Sequence, residues 1–136
     1  HKDKSGLLKM GPVWDLNIGY NRQDRVPTTD WIANYNQYVS QDAWMVPFWW
    51  TRLLEDPVFK TALRVRWNEL RNNTLSNSNV LNLVSDTSNY LNSNGAIARN
   101  YEKWSGIPVD YNNSISELIA YLEDRLSWMD GTISAY

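Results

Sequence analysis

The stretch Pro47–Asn73, PFWWTRLLEDPVFKTALRVRWNELRNN, decides the fold class because its apolar residues recur at helical spacing. Its first half predicts a short helix that ends near Glu55, ahead of a proline. Its second half predicts an amphipathic helix to about Arg71, with Asp56 as the N-cap and Pro57 at the first helical position. The apolar stripe of this longer helix consists of Phe59, Leu63, Trp67 and Leu70.

Capping residues and apolar periodicity predict three more helices toward the C-terminus. One follows Ser76 as its N-cap, and a shorter one covers about Ala96–Trp104. The last begins at the capping box Ser114–Glu117 and ends at Gly131. With the two helices above, these predict a mainly α fold. In the first of the five, Trp49, Trp50, Leu53 and Leu54 share one face. Trp49 and Trp50 could form a binding face, but an apolar face of this kind more often belongs to the core.

The N-terminal third predicts less regular structure. The turn-rich Asp3–Gly6 and the extended runs on either side of Gly11-Pro12 predict a β-hairpin or strand pair at the N-terminal edge. Residues 21–46 show little periodicity, apart from a short helix that Asp30 can cap, and long irregular segments are often functional. We therefore expect a single unit, residues 1–136, with a strand edge at 1–20, an irregular segment at 21–46 and a helical subdomain at 47–131.

The composition excludes several classes of function. A length of 136 residues suits one domain, and a net charge of −2 without a basic stripe argues against nucleic acid as a partner. No apolar run is long enough to predict a membrane span. The chain lacks cysteine, and its one histidine is His1, so thiol chemistry and an internal catalytic histidine are excluded. Carboxylates remain as candidate chemical groups.

Asp15 is the carboxylate that stands out, within the stretch Gly11–Tyr20, GPVWDLNIGY. It follows Val13-Trp14 at the end of a predicted strand, where a rigidly held carboxylate suits Mg²⁺ shared with substrate phosphates. Asp15 could equally cap a turn or accept backbone hydrogen bonds. The pattern leaves both interpretations open.

GPVWDLNIGY resembles the motif Gly-Pro-Val-Trp-Asp-Phe-Asp of the spore coat protein H (CotH) kinase-like family, and Pro47–Asn73 resembles the helical segment that follows it in that family. The resemblance extends from about Leu7 to Met129. It implies an atypical kinase-like fold and, for the intact protein, transfer of the γ-phosphoryl group of ATP to serine or threonine of a protein substrate with a divalent metal. It also implies export or a cell-surface location in a bacterium.

By this resemblance Asp15 is the metal-binding aspartate, and Asn17 occupies the position of the family's second acid. Asparagine can offer a carbonyl oxygen to Mg²⁺ but brings no charge. The strand that positions Asp15 matches Gly11, Pro12, Val13 and Trp14.

The family's nucleotide-binding lobe and catalytic base would lie upstream of His1. We therefore expect a C-terminal lobe fragment without catalytic residues, inactive alone, with Mg²⁺ and ATP bound only in the intact parent and none held stably by the fragment. Strands cut from their partners also predict an artificial dimer through residues 7–16.

A second hypothesis is a kinase-like protein that has lost catalysis and binds a glycan or peptide at a surface. One basis for this hypothesis is Asn17 at the position of an acid. The other is a set of aromatic residues that we expect to be exposed and able to stack on such ligands, namely Trp31, Tyr35, Tyr38 and Trp44. A third hypothesis is a helical interaction domain whose N-terminal strands pair with a neighbouring chain.

Overall fold

The computed structural model describes residues 3–7, 9, 26–39, 45–106 and 110–136. Within these ranges the chain is mainly helical and contains no β-strand. A 3₁₀ turn, Ile32–Asn34, leads directly into the first α-helix. The six α-helices of the described ranges are α1 (Tyr35–Tyr38), α2 (Trp49–Glu55), α3 (Pro57–Arg71), α4 (Asn77–Ser93), α5 (Ala96–Lys103) and α6 (Tyr111–Ser134).

The core lies where α3 and α4 pack against α6. Trp67 of α3 and Leu126 and Ile133 of α6 are buried against one another, and Ile133 is fully enclosed. Burying an aliphatic side chain of this size stabilises the fold by about 2 kcal/mol. Two residues of the predicted apolar stripe of α3, Leu63 and Trp67, therefore face the core. The half-buried residues that pack around this cluster are Trp31, Leu63, Leu75, Val80, Met129 and Tyr136.

Two predicted N-caps are confirmed by their hydrogen bonds. The Asp56 carboxylate accepts the Val58 N–H at 2.8 Å, and Pro57 occupies the first position of α3. The Ser76 hydroxyl accepts the Asn79 N–H at 3.3 Å at the start of α4. Because each cap satisfies a backbone donor that the helix itself leaves unpaired, the starts of α3 and α4 could be read from local sequence.

The predicted start of α6 is wrong. The N-cap is Asp110, whose carboxylate accepts the Asn113 N–H at 3.0 Å, and the helix begins at Tyr111. Ser114 lies inside the first turn, where its N–H donates to the Asp110 carbonyl at 3.0 Å. Glu117 accepts instead from the Asn113 side chain at 2.7 Å. An acid four residues upstream thus caps the helix and displaces the capping box.

The predicted end of α6 at Gly131 is also wrong, because the helix continues to Ser134. A glycine inside a helix costs about 1 kcal/mol relative to alanine. The complete burial of Ile133 beyond it outweighs that cost. Tertiary packing therefore overrides the local stop signal.

The helix α5 ends at Lys103, close to its predicted end, but Trp104 follows it and is 58% exposed. Between α4 and α5 the chain turns at Gly95, which has a φ of 64°. This left-handed conformation favours glycine over any residue with a Cβ.

The N-terminal prediction is only partly covered by the described residues. Asp3–Gly6 forms the predicted turn, with the Gly6 N–H donating to the Asp3 carbonyl at 3.0 Å. Most of the predicted hairpin, and with it the proposed dimer contact through residues 7–16, lies outside the described ranges. The division of the chain at residues 20 and 46 stays a prediction. Among the described helices, none is long and apolar enough to cross a membrane.

Candidate functional site

The residues that sequence and resemblance assign to metal binding lie outside the described ranges, and so does Trp44. Their roles therefore stay predictions. These residues are Gly11, Pro12, Val13, Trp14, Asp15 and Asn17. The structure does describe the segment that follows them, residues 26–39. This segment packs onto the helices of the core, and we call α3, α4 and α6 the helical layer.

Asp30 organises residues 26–39 through its side chain. One carboxylate oxygen accepts the Trp31 N–H and the Asn34 side-chain N–H, both at 2.7 Å. The other accepts the Tyr38 hydroxyl at 2.5 Å. Asp30 was predicted to cap a short helix, and this helix exists as the 3₁₀ turn followed by α1. The assigned N-cap is Trp31, however, and Asp30 holds both ends of the short helix together.

These hydrogen bonds set the proton affinity of the pair. Burial alone would raise the pKa of Asp30. The hydrogen bonds from Tyr38, Asn34 and the Trp31 N–H, together with the nearby Arg125 charge, outweigh it and hold that pKa below its ordinary value. The hydrogen bond to Asp30 in turn raises the pKa of the Tyr38 hydroxyl. At neutral pH the pair is therefore a charged acceptor and a neutral donor.

Arg125 of α6 attaches residues 26–39 to the helical layer. One guanidinium nitrogen donates to the Thr28 carbonyl and, at 2.6 Å, to the Asp30 carbonyl. The guanidinium also lies 4.6 Å from the Trp128 ring centre and 5.6 Å from that of Trp31. Burial lowers the pKa of Arg125, partly offset by Tyr121 and Asp30, yet arginine remains charged at neutral pH. We call Thr28, Asp30, Trp31, Arg125 and Trp128 the Arg125 cluster.

Trp31 is the residue through which residues 26–39 reach the core. Its ring meets Trp128 edge to face, with 4.9 Å between the ring centres. Its indole N–H donates to the Tyr136 hydroxyl at 2.8 Å, and the Lys60 ammonium lies 5.0 Å from the Tyr136 ring centre. Edge-to-face aromatic pairs and cation–π contacts each contribute about 1 kcal/mol. Trp31 therefore serves as an anchor of this segment.

The expected aromatic surface looks different in the structure. Tyr35 is 7% exposed, so the expectation that it is exposed is wrong. Trp31 is half-buried in the contacts just described. Tyr38 is 47% exposed and retains a ring that a ligand could reach. The Asp30 carboxylate joins the two residues by accepting the Trp31 N–H and the Tyr38 hydroxyl.

A second arginine holds the helical layer together. Arg71 of α3 makes a two-pronged ion pair with Asp130 of α6, with nitrogen–oxygen distances of 2.9 Å on each side. The same carboxylate accepts the indole N–H of Trp67 at 2.8 Å. Arg71 also donates to the Leu75 carbonyl and to the Asn77 side chain. We call Trp67, Arg71, Leu75, Asn77 and Asp130 the Arg71 cluster.

An apolar groove opens between the 3₁₀ turn, α2 and the start of α3. Its volume is about 390 Å³. Trp49 and Leu53 were expected in the core, but they are 39% and 36% exposed and form one wall of this groove. These two residues are exposed because α2 packs on α3 and on the 3₁₀ turn with only part of its apolar face. The described lining residues are Trp31, Ile32, Ala33, Trp49, Trp50, Leu53, Leu54, Phe59 and Leu63.

Within the described residues, no group of three or more His, Asp or Glu side chains lies close enough together to hold a metal ion. The carboxylates of Asp30 and Asp130 already accept hydrogen bonds from other side chains of the protein. Asp15 and Asn17, the predicted Mg²⁺ ligands, lie outside the described ranges.

Sequence reasoning missed both arginine clusters. No role was assigned to Arg125 or Asp130 from the sequence. The available signal was their position: both flank Leu126, Trp128 and Met129 on a helix with a strong apolar stripe. The local sequence does not indicate their hydrogen-bond partners, which lie far away along the chain.

The described residues form a helical domain with a short attached segment, a class of fold that serves many functions. The family of the CotH kinase protein matches residues 1–129, almost the whole chain. The chain therefore belongs to the CotH kinase protein family. No curated protein and no solved structure matches it.

Proposed function

We propose that this chain supplies the metal-binding aspartate, Asp15, of an atypical protein kinase. The protein that contains it would transfer the γ-phosphoryl group of ATP to a protein substrate with the help of Mg²⁺. The chain would act as the C-terminal lobe, contribute part of the substrate platform, and be inactive without the nucleotide-binding lobe that the family resemblance implies.

The observation that carries the proposal is the family match over residues 1–129, which includes the Gly11–Asp15 motif. The match supports a kinase-like protein, and the motif supports Asp15 as its metal ligand. In phosphoryl transfer the protein mainly positions the reactants and stabilises charge, so one rigidly placed carboxylate has a large effect.

The described structure is compatible with this role. Residues 26–39, which follow the motif, are attached to α6 by Arg125 and to the core by Trp31. These contacts hold residues 26–39 in place on the helical layer. Precise placement of this kind is what positioning catalysis requires.

The proposed ligands suit magnesium in kind but are few. Mg²⁺ prefers oxygen ligands and is often bound through one or two carboxylates together with substrate phosphates. When bound, the ion would neutralise charge on the transferring phosphoryl group. Asp15 would supply one charged oxygen donor, and Asn17 would supply a neutral one. We therefore expect weaker metal affinity than a site with two acids would have.

The direct test is a γ-phosphoryl transfer assay on the full-length protein and its Asp15→Ala variant. We expect the variant to lose at least about 100-fold in turnover, because a group that stabilises charge in the transition state is removed. The matched control is Asp86→Ala, which removes an exposed acid on α4 and should leave turnover unchanged. Equal turnover of wild type and Asp15→Ala would refute the proposal.

A second candidate function is a kinase-like binding module that has lost catalysis. It is favoured by Asn17 at the position of an acid and by the exposed ring of Tyr38. A glycan or peptide could stack on such a ring. The two candidates differ in Mg²⁺–ATP binding, which only the kinase requires.

A further inference from the structure

The turn between α4 and α5 contains Asn94, the only asparagine of this chain that precedes a glycine. An asparagine–glycine pair supports a spontaneous reaction in which the backbone nitrogen of the glycine attacks the side-chain amide carbon of the asparagine. Glycine favours this attack because it has no Cβ to hinder the approach and because its backbone rotates freely. Asn94 is exposed, so water can reach the reacting atoms.

We propose that Asn94 is a deamidation site whose reaction is blocked in the folded turn and proceeds when the turn opens. The Gly95 nitrogen forms a bond to the Asn94 Cγ and loses its proton. The bond between Cγ and Nδ2 breaks, and the amide nitrogen leaves as ammonia. Water then opens the resulting cyclic imide at either of its carbonyls, which gives aspartate or isoaspartate. Water is the only co-reactant.

Hydrogen bonds hold both reacting groups in the folded turn. The Asn94 side-chain amide donates to the Tyr90 carbonyl at 2.8 Å, so this side chain points back along α4. The Gly95 nitrogen lies on the C-terminal side of Asn94, and its N–H donates to the Asn92 carbonyl at 3.0 Å. The attacking nitrogen and the carbon that it must reach are therefore each tied to the last turn of α4.

Arg99 of α5 holds the peptide group that has to rotate. Its guanidinium donates to the Asn94 carbonyl at 2.8 Å. In the folded turn Asn94 has a ψ of 5°, and the attack needs a large rotation about this bond to bring the Gly95 nitrogen to Cγ. The same rotation moves the Asn94 carbonyl away from the guanidinium. The hydrogen bond from Arg99 therefore opposes the reaction.

The test compares deamidation of the full-length protein in its native state and in urea, at the same pH and temperature, by peptide mapping with mass spectrometry. In urea we expect Asn94 to react before the other asparagines of this chain. In the native state we expect it to react at least about tenfold more slowly, because opening of the turn limits the reaction. Equal rates in the two states would overturn the inference, and so would slower reaction of Asn94 than of other asparagines in urea.

The variant Arg99→Met tests the part assigned to Arg99. We expect its native-state deamidation at Asn94 to be about fivefold faster, because a hydrogen bond from a charged group is lost. Lys103→Met is the matched control, since it removes a positive charge from α5 that lies 5.9 Å from the Trp104 ring centre. Circular dichroism checks that both variants are folded. A native-state rate for Arg99→Met equal to that of wild type would contradict this step.

The product of the reaction should loosen the turn in which it forms. Asn94→Asp reproduces the aspartate product, whose carboxylate cannot donate to the Tyr90 carbonyl and places a negative charge at the unfavourable end of α4. We expect faster amide hydrogen exchange at the end of α4 and in α5. The control is Asn82→Asp, which introduces the same charge at an exposed site in the middle of α4. Equal exchange in the two variants would contradict this consequence.

Discussion

The Arg71 cluster and the Arg125 cluster are each centred on an arginine, but the two arginines have different roles. Arg71 pairs with the carboxylate of Asp130 and joins α3 to α6, two helices that Trp67, Leu126 and Ile133 already hold together. Arg125 donates to the backbone carbonyls of Thr28 and Asp30 and stacks near two tryptophans. The first strengthens the core, whereas the second attaches a segment that reaches the core mainly through Trp31.

This difference separates global stability from local attachment. Loss of a contact in the Arg71 cluster should lower the stability of the whole helical layer. Loss of a contact in the Arg125 cluster should first release residues 26–39, because Arg125 holds their backbone through the Thr28 and Asp30 carbonyls. The following four changes test this contrast, beginning with the largest expected effect.

Trp67→Ala should be the most destabilising. It removes a buried ring from the core and leaves the Asp130 carboxylate without its indole donor. We expect the free energy of unfolding to fall by about 3–5 kcal/mol. Urea unfolding followed by far-ultraviolet circular dichroism measures this loss. Trp104→Ala, at a 58% exposed site, is the control and should change stability by less than about 0.5 kcal/mol.

Arg71→Met should lower the free energy of unfolding by about 2 kcal/mol, because a hydrogen-bonded ion pair is replaced by an uncharged chain of similar length. The effect should appear in urea unfolding as a shift of the whole transition. Arg66→Met provides the control, since its ion pair with Glu69 is exposed and such pairs contribute little. A shift for Arg66→Met as large as that for Arg71→Met would contradict the assignment.

Arg125→Met should have a smaller effect on global unfolding, about 1 kcal/mol, but a large local effect. The variant leaves the Thr28 and Asp30 carbonyls without their donor. We expect amide hydrogen exchange to accelerate in residues 26–39 while α3 and α6 keep their protection. Arg125→Lys should restore the charge but not both hydrogen bonds. Uniform acceleration along the chain would remove the distinction between the two clusters.

Acid should loosen residues 26–39 before the helical layer responds. The folded-state pKa of Asp30 is below its ordinary value, so its contribution is complete above pH 4 or so and is lost as the pH falls through the lowered value. Amide exchange or chemical shifts of residues 26–39, followed from pH 6 downward, measure this. Asp30→Asn should flatten the response. Tyr38→Phe should move the midpoint upward, because a hydrogen bond to the charged carboxylate is removed.

Helix bounds could be predicted from the sequence where capping residues and apolar spacing determine them. The proline after Asp56, the caps at Asp56 and Ser76, and the stripe from Phe59 to Leu70 predicted the end of α2, the bounds of α3 and the start of α4. Both ends of α6 were missed because Asp110 competes with Ser114 as the cap and because the burial of Ile133 carries the helix past Gly131. The second of these reasons is tertiary.

The candidate site was less predictable. The pairing of Arg125 with Thr28 and Asp30, and of Trp67 with Asp130, joins residues distant in sequence, and no local pattern encodes such partners. The exposure of Trp49 depends on how α2 meets α3 rather than on its own periodicity. The family, by contrast, could be recognised from GPVWDLNIGY and Pro47–Asn73, because the order of two motifs carries that information. The kinase-like fold and the N-terminal hairpin stay predictions.

The most direct measurement is a calorimetric titration of Mg²⁺–ATP into the full-length protein and into its Asp15→Ala variant. The proposed kinase function predicts that wild type binds Mg²⁺–ATP and that the variant loses the Mg²⁺-dependent part of this binding. The Asp86→Ala control should bind as wild type does. Identical Mg²⁺-dependent binding by wild type and Asp15→Ala, or none by wild type, would contradict the account.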